Sequence, residues 1–127
     1  MTEQTINWAE LKEALKKVDK SVVDCKCNYE KFIEWKRIGR EDLASLVLLG
    51  KIVDFKNKSH LSYTMYKWKQ SQEEPMALGY YPYGGCNVYQ CADCKRLFFY
   101  YVEMGGHAVD LNLRLIREEL LVFEAPQ

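Results

Sequence analysis

The pair Cys91-Ala92-Asp93-Cys94 sits between two runs of strand-forming residues, and this narrows the choice of fold more than any other feature. Asn87-Val88-Tyr89-Gln90 reads as one strand. Arg96 to Met104, carrying Leu97-Phe98-Phe99-Tyr100-Tyr101-Val102, reads as a longer one. A tight turn at Cys91 to Cys94 points both thiols toward one place, from which a cation can be gripped. Gly105-Gly106 supplies the next turn. Val109-Asp110-Leu111-Asn112-Leu113-Arg114-Leu115 then alternates apolar and polar residues, as a strand buried on one face does. Three such strands in succession predict an antiparallel meander.

The first half has helical periodicity instead. Trp8, Leu11, Leu15, Val18 and Val22 are three and four apart, one face of a helix. Asn7 with Glu10 forms a capping box, and Ile6 and Leu11 stand where a hydrophobic staple would place them. Asn28 opens a second short helix carrying Tyr29, Phe32 and Ile33 and ending near Gly39. A third spans about Arg40 to Leu49, with Leu43, Leu46 and Val47 inward and Gly50 as its stop. Ile52 to Phe55 reads as a short strand, and Leu61 to Trp68 is rich in strand formers, although Leu61, Met65 and Trp68 also fit a helix. The expected class is α+β: N-terminal helices packed on a C-terminal antiparallel β-meander with a C-x-x-C turn. One domain spans 1–127, mainly helical over 1–55 and mainly antiparallel sheet over 61–127, since 127 residues suit one core and not two.

Composition removes several function classes. The apolar share of 48% is that of a globular chain and excludes a disordered one. Lys plus Arg number 18 and Asp plus Glu 18, so the basic surplus of a nucleic-acid binder is missing and nucleic acid is not the expected partner. No run approaches the roughly 18 apolar residues of a membrane span. Met1-Thr2-Glu3-Gln4-Thr5 has neither a basic nor an apolar leader region, so the expected location is cytoplasmic. Five cysteines, an odd number in a reducing compartment, argue against a disulfide framework.

If Cys91 and Cys94 bind a metal, zinc is the expected ion, and it needs two more ligands. Two sets are open. Cys25 and Cys27 are two apart, so an extended chain turns both thiols to one side. Cys86 and His107 form the other set. With 87–90 extended, however, Cys86 lies roughly 16 Å from Cys91, so this set requires a bent chain. The rival reading is that these are ordinary buried thiols. A thioredoxin-like role needs a helix after the C-x-x-C, where a strand is expected.

Catalytic motifs are absent: there is no Gly-rich phosphate loop, no nucleophile elbow and no H-E-x-x-H. Only His60 and His107 are candidate bases near neutral pH. His60 reads as a solvated loop residue, and a Cys86–His107 nucleophile and base arrangement is the weaker reading of a turn histidine. The chain is therefore read as a binder and not an enzyme. Tyr80, Tyr81 and Tyr83 crowd the loop Gly79 to Gly85, and Phe98-Phe99-Tyr100-Tyr101 places aromatics on both faces of its strand. One face packs on the helices. The other needs a cover, either a partner or this chain's own Trp8, Phe32 or Trp35. Tyr80, Tyr81, Tyr83 and Tyr101 are the expected partner-binding anchors.

The stretch Cys86-Asn-Val-Tyr-Gln-Cys91-Ala-Asp-Cys94, followed by Phe99-Tyr100-Tyr101-Val-Glu103 and Gly105-Gly106-His107, resembles a pattern in immunity proteins of bacterial polymorphic toxin systems of the Rhs and contact-dependent inhibition types. The resemblance covers about residues 80 to 117. It implies a cytoplasmic antidote, encoded beside its toxin, that binds a cognate toxin C-terminal domain and blocks it by protein–protein contact. The alternative is a small zinc-binding accessory protein that binds nucleic acid or a regulatory partner.

Overall fold

Asn7 turns an extended entry into a helix. In the computed structural model, which describes residues 4–53, 59–62, 76–78, 80–81, 83, 85–103 and 109–122, strand β1 (Thr5–Ile6) leads directly into helix α1 (Trp8–Lys16). Asn7 Oδ1 accepts the Glu10 N–H at 2.8 Å, and Glu10 Oε1 accepts the Asn7 N–H at 3.1 Å. Two of the helix's orphan donors are satisfied reciprocally. Leu11 and Leu15 are buried, with Trp8 and Ala14 packed beside them. The apolar stripe continues to Val22, but the helix does not. Asp19 Oδ1 accepts from the Ser21 N–H and hydroxyl, a local turn that competes with helix, and the Asp19 N–H goes to the Cys94 carbonyl at 2.9 Å.

The next two expected helices are not formed. Tyr29–Phe32 is a single 3₁₀ turn, followed by β2 (Lys36–Ile38), a second 3₁₀ turn (Arg40–Leu43) and β3 (Leu46–Ile52). Leu46-Val47-Leu48-Leu49 is apolar without a break, a pattern that periodicity cannot divide between strand and helix. Gly50 is not a helix stop. It lies within β3 at φ +146°, at a shift in register between Leu48 and Gly50, and a Cβ there would stand 2.7 Å from the Thr5 backbone. Only glycine lets β1 approach that closely.

The rest of the chain gives β4 (Ser59–Ser62), β5 (Met76–Ala77), β6 (Tyr80–Tyr81), β7 (Asn87–Cys91), β8 (Leu97–Glu103), β9 (Asp110–Leu115), a 3₁₀ turn (Glu118–Leu120) and β10 (Leu121–Val122). Strands β7, β8 and β9 lie where the sequence places them, paired in antiparallel register with Tyr89 opposite Phe98 and Tyr100 opposite Leu113. Their setting differs from the expected one. Among the described residues the sheet is six-stranded and mixed, in the order β1-β3-β7-β8-β9-β2, with β1 parallel to β3, and α1 is the one α-helix. The class of helices packed on a meander is therefore corrected to a mixed sheet with one helix. β4 pairs with β6, and β5 with β10, both in parallel. Residues 63–68, 54–55 and the Gly105-Gly106-His107 turn lie outside the described residues.

Alternation along β8 divides the core in two. Leu97 and Phe99 join Ile6, Leu11, Leu15, Ile52, Val88 and Ile116 on the α1 side. Phe98 joins Cys27, Phe32, Ile38, Cys91, Cys94 and Leu113 on the other. Phe98 and Phe99 are each fully buried, worth about 1.5–3 kcal/mol apiece. The second face is covered by the chain itself: Phe32 stands edge-on to Phe98 with centroids 5.9 Å apart.

Candidate metal centre

Strand β7 runs into Cys91, and the chain reverses before β8. The Lys95 N–H bonds the Cys91 carbonyl at 3.0 Å, and the Cys91 N–H bonds the Arg96 carbonyl at 2.9 Å. Inside this turn the backbone N–H groups of Asp93 and Cys94 donate to Cys91 Sγ. The turn closes with Lys95 at φ +67°, the left-handed region that glycine enters without strain. Lys95→Gly is therefore expected to raise stability by about 0.5–1 kcal/mol, the relief of Cβ strain less the entropy glycine gains when unfolded. Urea unfolding would show it as a higher midpoint at unchanged slope, and a lower midpoint would refute it.

The opposite jaw is the segment after α1. Cys25 and Cys27 flank Lys26, and Asn28 at φ 51° turns the chain back, its N–H on the Cys25 carbonyl at 3.0 Å. The Cys27 N–H donates to Cys25 Sγ. Two further bonds hold this jaw to the hairpin: the Asp19 N–H to the Cys94 carbonyl, and Arg96 Nη1 to the Val22 carbonyl at 2.7 Å.

The four sulfurs meet between the jaws. Cys25 Sγ lies 3.4 Å from Cys91 Sγ, Cys27 Sγ lies 3.7 Å from Cys94 Sγ, and all four are within 4.8 Å of one another. A tetrahedron with bonds of about 2.3 Å separates its sulfurs by about 3.8 Å, so the spacing suits one ion at the centre. These four cysteines can bind a metal ion. Cys27, Cys91 and Cys94 are buried and Cys25 is half-buried. The bond from the Cys27 N–H draws the Cys25 thiol down to about 7, whereas burial pushes the Cys27 and Cys91 thiols up. A cation would remove that burial penalty, because metal ligation deprotonates thiols outright.

Of the two ligand sets the sequence leaves open, the described cluster uses Cys25 and Cys27. Cys86 belongs to the other core, on the α1 side of the sheet, and burial pushes its thiol up, which also disfavours it as a nucleophile. His107 lies outside the described residues, and of His60 only the backbone, in β4, is described. Tyr80 and Tyr81 form β6. Tyr83 is in the core, 1% exposed, its hydroxyl accepting from Trp35 Nε1 at 3.0 Å and from Arg114 Nη1 at 2.5 Å. This corrects its reading as a surface anchor: the hydroxyl is spent on buried donors. Tyr101 is half-buried and edge-on to Trp35 at 4.7 Å.

Two buried arginines are not foreseen from the sequence. Arg96, read there only as the start of a strand, is buried against Tyr29, with Cζ 3.6 Å from the ring. Its place two residues after a ligand cysteine was the available signal, since thiolates attract cations. Arg114 is fully buried, although alternation assigns it to solvent. No protein-family model, curated protein or solved structure matches the chain. No helix among the described residues is long and apolar enough to cross a membrane.

Proposed function

We propose that this chain is a binding protein stapled by a structural zinc ion, and that it acts as an immunity protein for a toxin domain. The observation that carries the reading is the four-sulfur cluster joining Cys25 and Cys27 to the β7–β8 turn. An all-thiolate tetrahedral set favours zinc among the common divalent ions. Four protein ligands leave no open position for a substrate or water, which makes the centre structural and not catalytic. A staple of this kind holds a small sheet rigid before it meets its partner, and rigidity lowers the entropic cost of association. The toxin as partner rests on the sequence resemblance around Cys86 to His107, and Tyr80 and Tyr81 are the anchors this reading retains.

The test uses untagged protein and the toxin domain encoded beside it. One zinc per chain and a stoichiometric complex that abolishes the toxin's activity are expected. Well under one equivalent of metal would remove the staple. A toxin that stays active and unbound at saturating concentrations would remove the immunity role.

A further inference from the structure

A metal bound by four thiolates leaves a charge problem. A divalent ion with four thiolates carries two negative charges, and this centre is mostly buried, so the excess charge must be met by donors close at hand. The backbone N–H groups of Cys27, Asp93 and Cys94 supply dipoles to Cys25 and Cys91. Cys94 sits on the other side of the cluster, and the group that reaches it is the guanidinium of Arg96. Arg96 is 8% exposed. It donates Nη1 to the Val22 carbonyl at 2.7 Å, stands over the Tyr29 ring with Cζ 3.6 Å from its centroid and interacts with the Cys94 sulfur. These three contacts span both jaws: Cys94 belongs to the hairpin, whereas Val22 and Tyr29 flank Cys25 and Cys27 on the facing segment. Lysine could not make them together, because the planar fork both donates in two directions and stacks.

We propose that Arg96 is the outer-sphere positioning residue of the metal centre: it compensates the charge of the tetrathiolate through Cys94 and clamps the Cys25–Cys27 jaw onto the hairpin. This rests on the reading of the cluster as a metal site. Hydrogen bonds to a bound thiolate withdraw electron density from sulfur, so the contact also shields Cys94 from electrophiles while the metal stays bound. Partners of this kind typically govern metal affinity by about 10–100-fold.

The experiment titrates purified wild-type protein and variants with cobalt(II), follows the thiolate-to-cobalt absorption, and measures zinc affinity by competition. Arg96→Gln is expected to weaken zinc binding by about 10–100-fold, with Arg96→Lys intermediate because it restores charge without the fork. Tyr29→Leu separates the roles: it loosens the stack but leaves the charge, so zinc affinity should change by less than about threefold. The second readout is alkylation of the zinc-loaded proteins by iodoacetamide, mapped by mass spectrometry. Cys94 should react several-fold faster in Arg96→Gln than in wild type, and at the wild-type rate in Tyr29→Leu. A role in packing alone would move both variants together and would overturn the proposal, as would Arg96→Gln binding zinc within twofold of wild type. If Arg96→Gln does not fold, Arg96→Lys carries the same comparison. A wild-type chain that shows no cobalt–thiolate absorption overturns the metal reading itself, an outcome distinct from a wild-type centre indifferent to Arg96.

Discussion

Cys94→Ser is expected to abolish stoichiometric zinc binding and to remove about 4 kcal/mol of stability in zinc-containing buffer. The size follows from linkage: an ion present at about a thousand times its dissociation constant stabilises the folded state by about 4 kcal/mol. For a domain of this size that is a large part of the whole, since net stabilities run from about 5 to 15 kcal/mol. Two comparisons make the prediction specific. Wild-type protein stripped by a chelator should lose the same metal contribution, and Cys94→Ser should fall below it by no more than a buried hydroxyl costs, about 1–3 kcal/mol. Cys86→Ser should keep one zinc per chain, because Cys86 lies in the core on the α1 side of the sheet, away from the cluster. Its loss should be limited to about 1–3 kcal/mol for burying a hydroxyl. Zinc content and urea midpoints of the three proteins decide the matter. A Cys86→Ser protein without metal, or a Cys94→Ser protein with a full equivalent, would show that the ligand set is wrong.

The parts of this fold that can be read in the sequence are those set by local chemistry. The Asn7–Glu10 capping box is a contact between near neighbours, so its residues announce it, and both hydrogen bonds are present. Strands β7, β8 and β9 announce themselves by branched and aromatic residues between turns. Residues 28–52 fail for the opposite reason. Leu43, Leu46 and Val47 fit a helical face only while nothing else competes. In the folded chain Leu46–Ile52 pairs with β7 on one side and β1 on the other, and the ladder outweighs the weak local preference. The φ of Gly50 shows the difference most plainly: glycine after an apolar run is a helix stop by local rule, but here it admits the backbone of Thr5. That contact is more than forty residues away in sequence, beyond the reach of any local pattern.

The candidate metal centre is half legible for a similar reason. The Cys91–Cys94 spacing is local and specifies one jaw. The second jaw depends on where the chain passes after α1, and spacing left Cys25 with Cys27 and Cys86 with His107 both open. What selects the first pair is the sheet: Cys91 and Phe98 point to the same face as Phe32 and Cys27, whereas Cys86, Val88 and Phe99 point to the other. The odd position in β7 decides the matter, because neighbouring strand residues face opposite ways. The same two-sidedness explains the aromatic run Phe98 to Tyr101. Both faces needed a cover, and Phe32 on one side and Trp35 on the other supply it from within the chain.

Arg114→Ala is the second substitution expected to have a large effect, about 3–5 kcal/mol of lost stability with the zinc content unchanged from wild type. Arg114 is fully buried on the α1 side of β9, opposite Phe99. Its Nε–H reaches the Ile33 carbonyl at 3.3 Å, and Nη1 reaches the Tyr83 hydroxyl at 2.5 Å, which also accepts from Trp35. Trp35 in turn stacks on Tyr83 at 5.4 Å and meets Tyr101 edge-on. One side chain thus fixes how the segment carrying Ile33 and Trp35 crosses the sheet. Truncating it leaves a cavity and strands buried acceptors, two separate costs. Arg114→Met should recover the volume and not the hydrogen bonds, so it should still cost about 2 kcal/mol or more. Adding Tyr83→Phe to Arg114→Met removes both ends of the Arg114–Tyr83 hydrogen bond and should cost less than the sum of the single changes, a coupling of at least about 1 kcal/mol. Urea unfolding of the four proteins closes the cycle. Additive losses, or an Arg114→Met protein as stable as wild type, would mean that the buried guanidinium does not organise this face.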